Sequence, residues 1–270
     1  MDPRFSKSKS SRALRLPAKA ALAALFLLIP FSGTAQSNSP QALHVHNIVL
    51  VHGAWADGSS WAKIIPILQK KGFHVTAVHL PFTTLAEDVA AVKRTLALQD
   101  GPVLLVGHSY GGAVITEAGN DPKVAGLLYV AAFAPDSGQS AGDLNNEFPA
   151  PPGDEEFRPD AQGFLRLTDK GIAEDFAPDL PPAEAKILAA TQGQVSGPNE
   201  LGAKVTKAAW RDKPSFYIVA DYDRMISPEL ETRLSEEMHA ETIHIPSSHV
   251  PMLSHPTQVA DFIAKAAGGH

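Results

Sequence analysis

None of the 270 residues is cysteine. Disulfides, thiolate nucleophiles and thiolate-bound metals are therefore excluded together. Neither H-E-x-x-H nor any other metal-ligand spacing occurs, so no metal site is expected. The stretch Gly53-Ala54-Trp55-Ala56-Asp57-Gly58 contains neither G-x-G-x-x-G nor a phosphate-binding lysine. A nucleotide site has no support there, and no cofactor is expected. No apolar run reaches the roughly 20 residues needed to span a bilayer. Internal repeats are absent, and the only low-complexity tract is SGTAQSNSPQ (32–41).

What is present begins with a leader. Residues 1–19 carry Arg4, Lys7, Lys9, Arg12, Arg15 and Lys19 against a single acid, Asp2. The apolar run Ala20–Phe31 follows, then small residues, with Gly33 and Ala35 placed like a cleavage site. A basic region, a short apolar core and a small-residue exit form the pattern of a secretory signal peptide. The expected organisation is a signal peptide over 1–35, a linker over 36–43 and one domain over 44–270. The expected location is periplasmic or secreted, with no stable membrane anchor after cleavage. Formal net charge is −6, and removing the leader's six basic and one acidic side chains takes it to about −11. An acidic surface repels phosphate backbones, which argues against nucleic acid as a partner.

With 44% hydrophobic and 19% charged residues, the rest of the chain has a globular balance. Short apolar runs alternate with amphipathic stretches. NIVLVHG (47–53), FHVTAVHL (73–80), PVLLVGH (102–108), VAGLLYVAAF (124–133), SFYIVAD (215–221) and ETIHIP (241–246) read as strands. Between them, Trp61, Ile64, Ile65 and Leu68 share one helix face, and Leu85, Val89, Val92 and Leu96 share another. Thr84-Leu-Ala-Glu87 is a capping box for the second helix. Ser227-Pro228 starts a helix with Leu230, Leu234 and Met238 inward, and Val259, Phe262 and Ile263 face inward from the last one. Strands alternating with helices predict an α/β fold, a mostly parallel six-stranded sheet with helices on both faces. The alternation breaks at about 137–208, a stretch too long for a bare loop. A small helical cap is expected there, with helices over 183–191 and 200–210.

In such a sheet, ligands sit beyond the carboxyl ends of the strands. The polar motifs fall at that edge. Gly107-His108-Ser109-Tyr110-Gly111 follows a strand and opens a helix, the context of a nucleophile elbow. A serine hydroxyl needs a base, and that base needs a third group to orient it. Asp223 lies just past the strand 215–221 and His249 just past the strand 241–246. His249 would accept the Ser109 proton and Asp223 would hold the imidazole. Asp136, which follows the fourth strand, is the main alternative acid, and Asp221 lies two residues from Asp223. His52 and His108, beside the glycine motifs, read as structural. An oxyanion needs two backbone donors. The amides of Tyr110 and Ala54 are positioned to supply them. Trp55, Phe133, Trp210 and Met252 are candidates for an apolar pocket or, equally, for core.

IVLVHGAWADGSSW (48–61), VGHSYGG (106–112), YVAAFAPD (129–136), DRMISP (223–228) and SSHVPMLSHP (247–256) together carry a resemblance to the α/β-hydrolase superfamily. More narrowly, the chain resembles the branch of plant methyl-ester esterases, hydroxynitrile lyases and their bacterial relatives. The resemblance implies a triad of Ser109, Asp223 and His249, oxyanion donors at Ala54 and Tyr110, and a helical cap. Lyases of this branch carry a lysine directly after the catalytic histidine, where this chain has Val250. They also carry a threonine in the loop after His-Gly, where this chain has Ala54-Trp55. Both departures favour an esterase. The expected activity is hydrolysis of small carboxylic esters through an acyl-enzyme on Ser109. Two alternatives stay open: a cofactor-free haloperoxidase or perhydrolase on the same triad, and a non-catalytic ligand-binding relative.

Overall fold

The computed structural model describes residues 43–269. The expected leader (1–35), and the expected linker except for Leu43, lie outside the described residues. Within them the chain runs β1 (Asn47–Val51), α1 (Ile65–Lys70), β2 (His74–Ala77), α2 (Leu85–Ala97), β3 (Val103–Ser109), α3 (Tyr110–Ala118) and β4 (Val124–Ala132). An insertion follows, holding α4 (Ala141–Asn145), β5 (Phe157–Pro159), β6 (Phe164–Leu167), α5 (Asp169–Gly171), α6 (Pro182–Thr191) and β7 (Val195–Ser196). The core resumes with β8 (Ser215–Ala220), α7 (Pro228–Glu237), β9 (Glu241–Ile245), α8 (Pro251–Ser254) and α9 (Pro256–Ala267).

Six strands form one sheet in the order β2-β1-β3-β4-β8-β9, every neighbouring pair parallel. β1, β3 and β8 are buried along their whole length, which is why they read as unbroken apolar runs. The crossover from β1 to β2 runs in the opposite direction along the sheet to all later ones. Right-handed crossovers therefore put α1 on one face and α2, α3 and α7 on the other. α9 packs against α1, and α2 against α3. The order reverses between β1 and β3, so the loops leaving these two strands diverge and open a crevice. Val51 is in register with Gly107, which brings the loop after β1 level with the Ser109 turn.

Local signals act largely as expected. Thr84 Oγ accepts the Glu87 amide and starts α2, although the Glu87 carboxylate bonds Thr83 rather than closing the box. Ser227 Oγ accepts the Leu230 amide, with Pro228 in the first turn of α7. The insertion departs from the all-helical expectation in two places. β5, β6 and β7 form a three-stranded antiparallel sheet. The stretch 200–210 is not a helix. A single wide turn over Gly197–Leu201 ends at Gly202, the chain then runs without regular structure, and a short 3-10 turn follows over Ala209–Arg211. Val205 exchanges backbone hydrogen bonds with Gln139 and Gly138, and Thr206 donates to Glu117 on α3. Pairing with neighbouring chain satisfies backbone groups that a helix would have satisfied internally.

Candidate active site

The turn from β3 into α3 holds Ser109 at φ 53° and ψ −126°, a region that side chains other than glycine rarely occupy. Such a conformation costs on the order of 1–3 kcal/mol and persists only where the surroundings dictate it. Here they do. A Cβ on Gly107 would lie 2.6 Å from the Gly111 carbonyl oxygen, and one on Gly111 would lie 2.6 Å from that of His52. The loop after β1 presses on Ser109 even more closely, since a Cβ on Gly53 would stand 2.5 Å from Ser109 Cβ. Each glycine of the motif is thus required by backbone approaching backbone.

His249 and Asp223 arrive from the ends of β9 and β8. The Asp223 carboxylate is wholly buried and lies 2.5 Å from His249 Nδ1. Its other oxygen accepts the amides of Met225 (2.7 Å) and Ile226 (3.0 Å), a turn encoded by Asp-Arg-Met-Ile-Ser. With Nδ1 donating to Asp223, the lone pair of the His249 ring is on Nε2. That nitrogen is buried and has no hydrogen-bond partner among the described residues. The ring lies 4.7 Å, centre to centre, from that of His108, the neighbour of Ser109. His108 Nε2 donates to the His249 carbonyl at 2.8 Å, tying the two loops together. The alternative acid Asp136 is elsewhere occupied: it forms a two-pronged pair with Arg211.

The two other sequence candidates are backbone amides. Tyr110 N–H lies in the first turn of α3, where no intrahelical acceptor exists. Ala54 N–H has no acceptor among the described residues. His52 sets the loop that presents it. Its Nε2 accepts the Leu80 amide at 3.1 Å, so Nδ1 carries the proton and donates to the Gly53 carbonyl at 3.0 Å. Burial lowers the His52 pKa to about 4, keeping the ring neutral in this role. Burial, with the His249 ring beside it, likewise holds His108 well below the usual histidine range. Both are structural, as the sequence suggests.

The pattern of the Alpha/beta hydrolase family matches residues 48–262. The chain belongs to the alpha/beta hydrolase family. A pyrethroid hydrolase of Sphingobium wenxiniae is 28% identical over 251 residues, covering 83% of this chain and 88% of that protein. Methylesterase 2 of Arabidopsis thaliana is 25% identical, covering 82% of this chain and 95% of its own length. The solved structure of a pyrethroid hydrolase from Sphingobium faniae JZ-2 shares the fold, with a TM-score of 0.72 at 24% identity over 82% of this chain and 97% of that one. The plant methyl-ester esterase branch anticipated from sequence is thus among the relatives.

The hydrolase carries a cavity of about 70 Å³ against Ser109. Ala54, Trp55, Tyr110 and Phe133 line it from the core, and Phe157 and Leu201 from the insertion. Trp55, at φ 57°, stacks on Phe157 with ring centres 4.9 Å apart and donates from Nε1 to the Leu165 carbonyl, joining core to cap. Two of the four expected pocket residues do not reach the cavity. Trp210 is buried, with Nε1 donating to the Pro135 carbonyl, and it packs beneath Arg211. Met252 is fully buried in the core on α8. Both are structural for the ordinary reason that large apolar side chains are buried wherever space allows.

Sequence reasoning missed other contributors. Met225 and Ile226 line the cavity next to Asp223, a position visible in DRMISP. Asn145 and Asp154 add polar groups to the cavity lining, Asn145 Nδ2 donating to the Asp154 carboxylate at 2.9 Å, and burial raises the Asp154 pKa. Asp179 of the cap accepts the Ser248 amide and hydroxyl, securing the loop that carries His249. Phe176 covers the His249 ring at 5.1 Å. Beneath Asp223 lies Glu231 of α7, fully buried, accepting the Ala220 amide at 3.0 Å. Burial first, and then the Asp223 charge, push the Glu231 carboxyl well above its usual range, which favours its neutral form beside Asp223. Nothing in the spacing of these residues separates them from ordinary surface acids and core aromatics.

Proposed function

We propose that the protein is a serine esterase that cleaves small carboxylic esters through an acyl-enzyme on Ser109. Ser109 Oγ attacks the ester carbonyl while His249 Nε2 takes its proton. Asp223 holds the Nδ1–H and stabilises the imidazolium that forms. The amides of Ala54 and Tyr110 receive the oxyanion. As the tetrahedral intermediate collapses, the alcohol leaves with the proton from His249. Water then attacks the acyl-enzyme, giving its proton to His249, and the acid and free Ser109 are regenerated.

The observation that carries this reading is the buried, unpartnered His249 Nε2, oriented through Nδ1 by Asp223, on a ring packed against that of His108, the chain neighbour of a strained serine. Support also comes from the relatives, among which are a pyrethroid hydrolase, methylesterases and a carbendazim hydrolyzing esterase. The largely apolar cavity at Ser109 suits a short acyl group or a small alcohol rather than a charged substrate. The test is turnover of p-nitrophenyl acetate and butyrate, with loss of turnover in Ser109→Ala. Export, on the pattern of the basic and apolar leader, belongs to the same proposal. N-terminal sequencing of protein recovered outside the cytoplasm tests it, a start near residue 36 being expected.

A further inference from the structure

Two buried carboxyl groups meet where the cap lies over the core, and the mechanism above uses neither. Asp88 sits on α2, fully buried, and Glu200 on the cap turn Gly197–Leu201 is 1% exposed. They lie within hydrogen-bonding reach of one another. One Asp88 oxygen accepts the Phe82 amide at 3.1 Å, and the other accepts the Tyr110 hydroxyl at 2.9 Å. Glu200 Oε2 accepts the Ser196 amide, while Oε1 is buried with no hydrogen-bond partner among the described residues. Two carboxylates in that position would repel, and an unpartnered charged oxygen would be costly. A single proton on Glu200 Oε1, donated to Asp88, resolves both problems.

The groups facing the pair are few. They are Tyr110 on α3, the Phe82 and Ser196 amides, and Glu87, whose charge next to Asp88 disfavours a second anion. No lysine or arginine is among them. Burial first, then the contact with Asp88, pushes Glu200 up to about 9. The pair is joined to the reaction at both ends. Leu201, next to Glu200, is part of the cavity wall, and so is Tyr110, whose amide is assigned to the oxyanion.

We propose that Glu200 is a positioning residue: as a neutral acid hydrogen-bonded to Asp88, it latches the cap turn to the core and fixes Leu201 and Tyr110 at the cavity. The effect on turnover rests on the esterase reading; the latch itself does not. Gln at this position keeps a donor toward Asp88 and an acceptor for Ser196 but cannot ionise.

The experiment compares wild type, Glu200→Gln and Glu200→Ala across pH, measuring kcat/KM with p-nitrophenyl butyrate and, separately, thermal melting. Near neutral pH, Glu200→Gln should stay within about twofold of wild type, and Glu200→Ala should fall about tenfold through misplacement of the cavity wall. Above about pH 9, wild type should lose activity that Glu200→Gln keeps. The melting temperature of wild type should also drop relative to Glu200→Gln as pH rises toward that value, because only wild type must release a proton. Superimposable pH profiles for activity and melting in wild type and Glu200→Gln would overturn the latch. So would a Glu200→Gln variant as impaired at neutral pH as Glu200→Ala. A melting difference that opens with pH in a protein that turns over no ester would uphold the latch and sink the esterase reading.

Discussion

Asp136 is held by Arg211, whereas Asp223 is held by His249. The first pair is part-exposed on the surface, and the second is sealed from solvent. In chain order both acids follow a strand, but only one faces the imidazole. Asp223→Asn should therefore lower kcat by about 10⁴-fold, the loss expected when a triad histidine is left in the wrong tautomer. Asp136→Asn should leave kcat/KM within about twofold, since an exposed ion pair is worth about 1 kcal/mol or less. Steady-state kinetics of the two variants on p-nitrophenyl butyrate check both numbers.

Gly53 leaves no room for a side chain. With Ser109 Cβ 2.5 Å from where a Cβ would stand, Gly53→Ala must push the oxyanion loop or the nucleophile aside. Losing one oxyanion donor costs about 10²–10³-fold in kcat. Gly53→Ala should approach that loss while the far-ultraviolet circular dichroism stays that of wild type.

His52 makes the fold acid-sensitive. Its folded pKa is lowered to about 4 from 6.5, so the unfolded chain binds a proton that the folded one refuses. Stability from this group is complete above about pH 6.5 and is lost as pH falls toward about 4, amounting to about 3 kcal/mol. His108, lowered by the same cause, acts in the same direction. Urea unfolding at a series of pH values should show this decline in wild type and a shallower one in His52→Gln.

Glu231 should behave as a neutral group. Glu231→Gln keeps an acceptor for the Ala220 amide and a donor toward Asp223, and should cost little stability. Glu231→Ala leaves that amide unpaired in a cavity, and should cost on the order of 2–3 kcal/mol. Chemical denaturation separates the two, and equal losses would refute the neutral-acid assignment.

The core strands, and the placement of Ser109, Asp223 and His249 at or just past the ends of β3, β8 and β9, were legible because each follows from a local rule. Buried parallel strands must be continuously apolar, and the residues ending β3, β8 and β9 must share one edge of the sheet. The cap obeys no such rule. β5, β6 and β7 hold three, four and two residues, too few to display alternation. The apparent helical period at 200–210 lost to backbone pairing of Val205 with Gln139 and Gly138. Trp210 and Met252 failed as pocket residues because apolar character alone does not separate a cavity wall from core. Asp88, Glu200 and Glu231 were illegible for the converse reason. An acid in an amphipathic stretch reads as solvated, and only the fold shows that these three are buried against other carboxyl groups.

Ser109 is proposed as the activated nucleophile. Reaction of the folded protein with a fluorophosphonate, followed by peptide mass mapping, tests it most directly. One adduct is expected, on Ser109, absent from Ser109→Ala and slowed greatly in His249→Ala. A folded wild-type protein that stays unlabelled at Ser109, or a Ser109→Ala variant that still turns over ester at the wild-type rate, would contradict it.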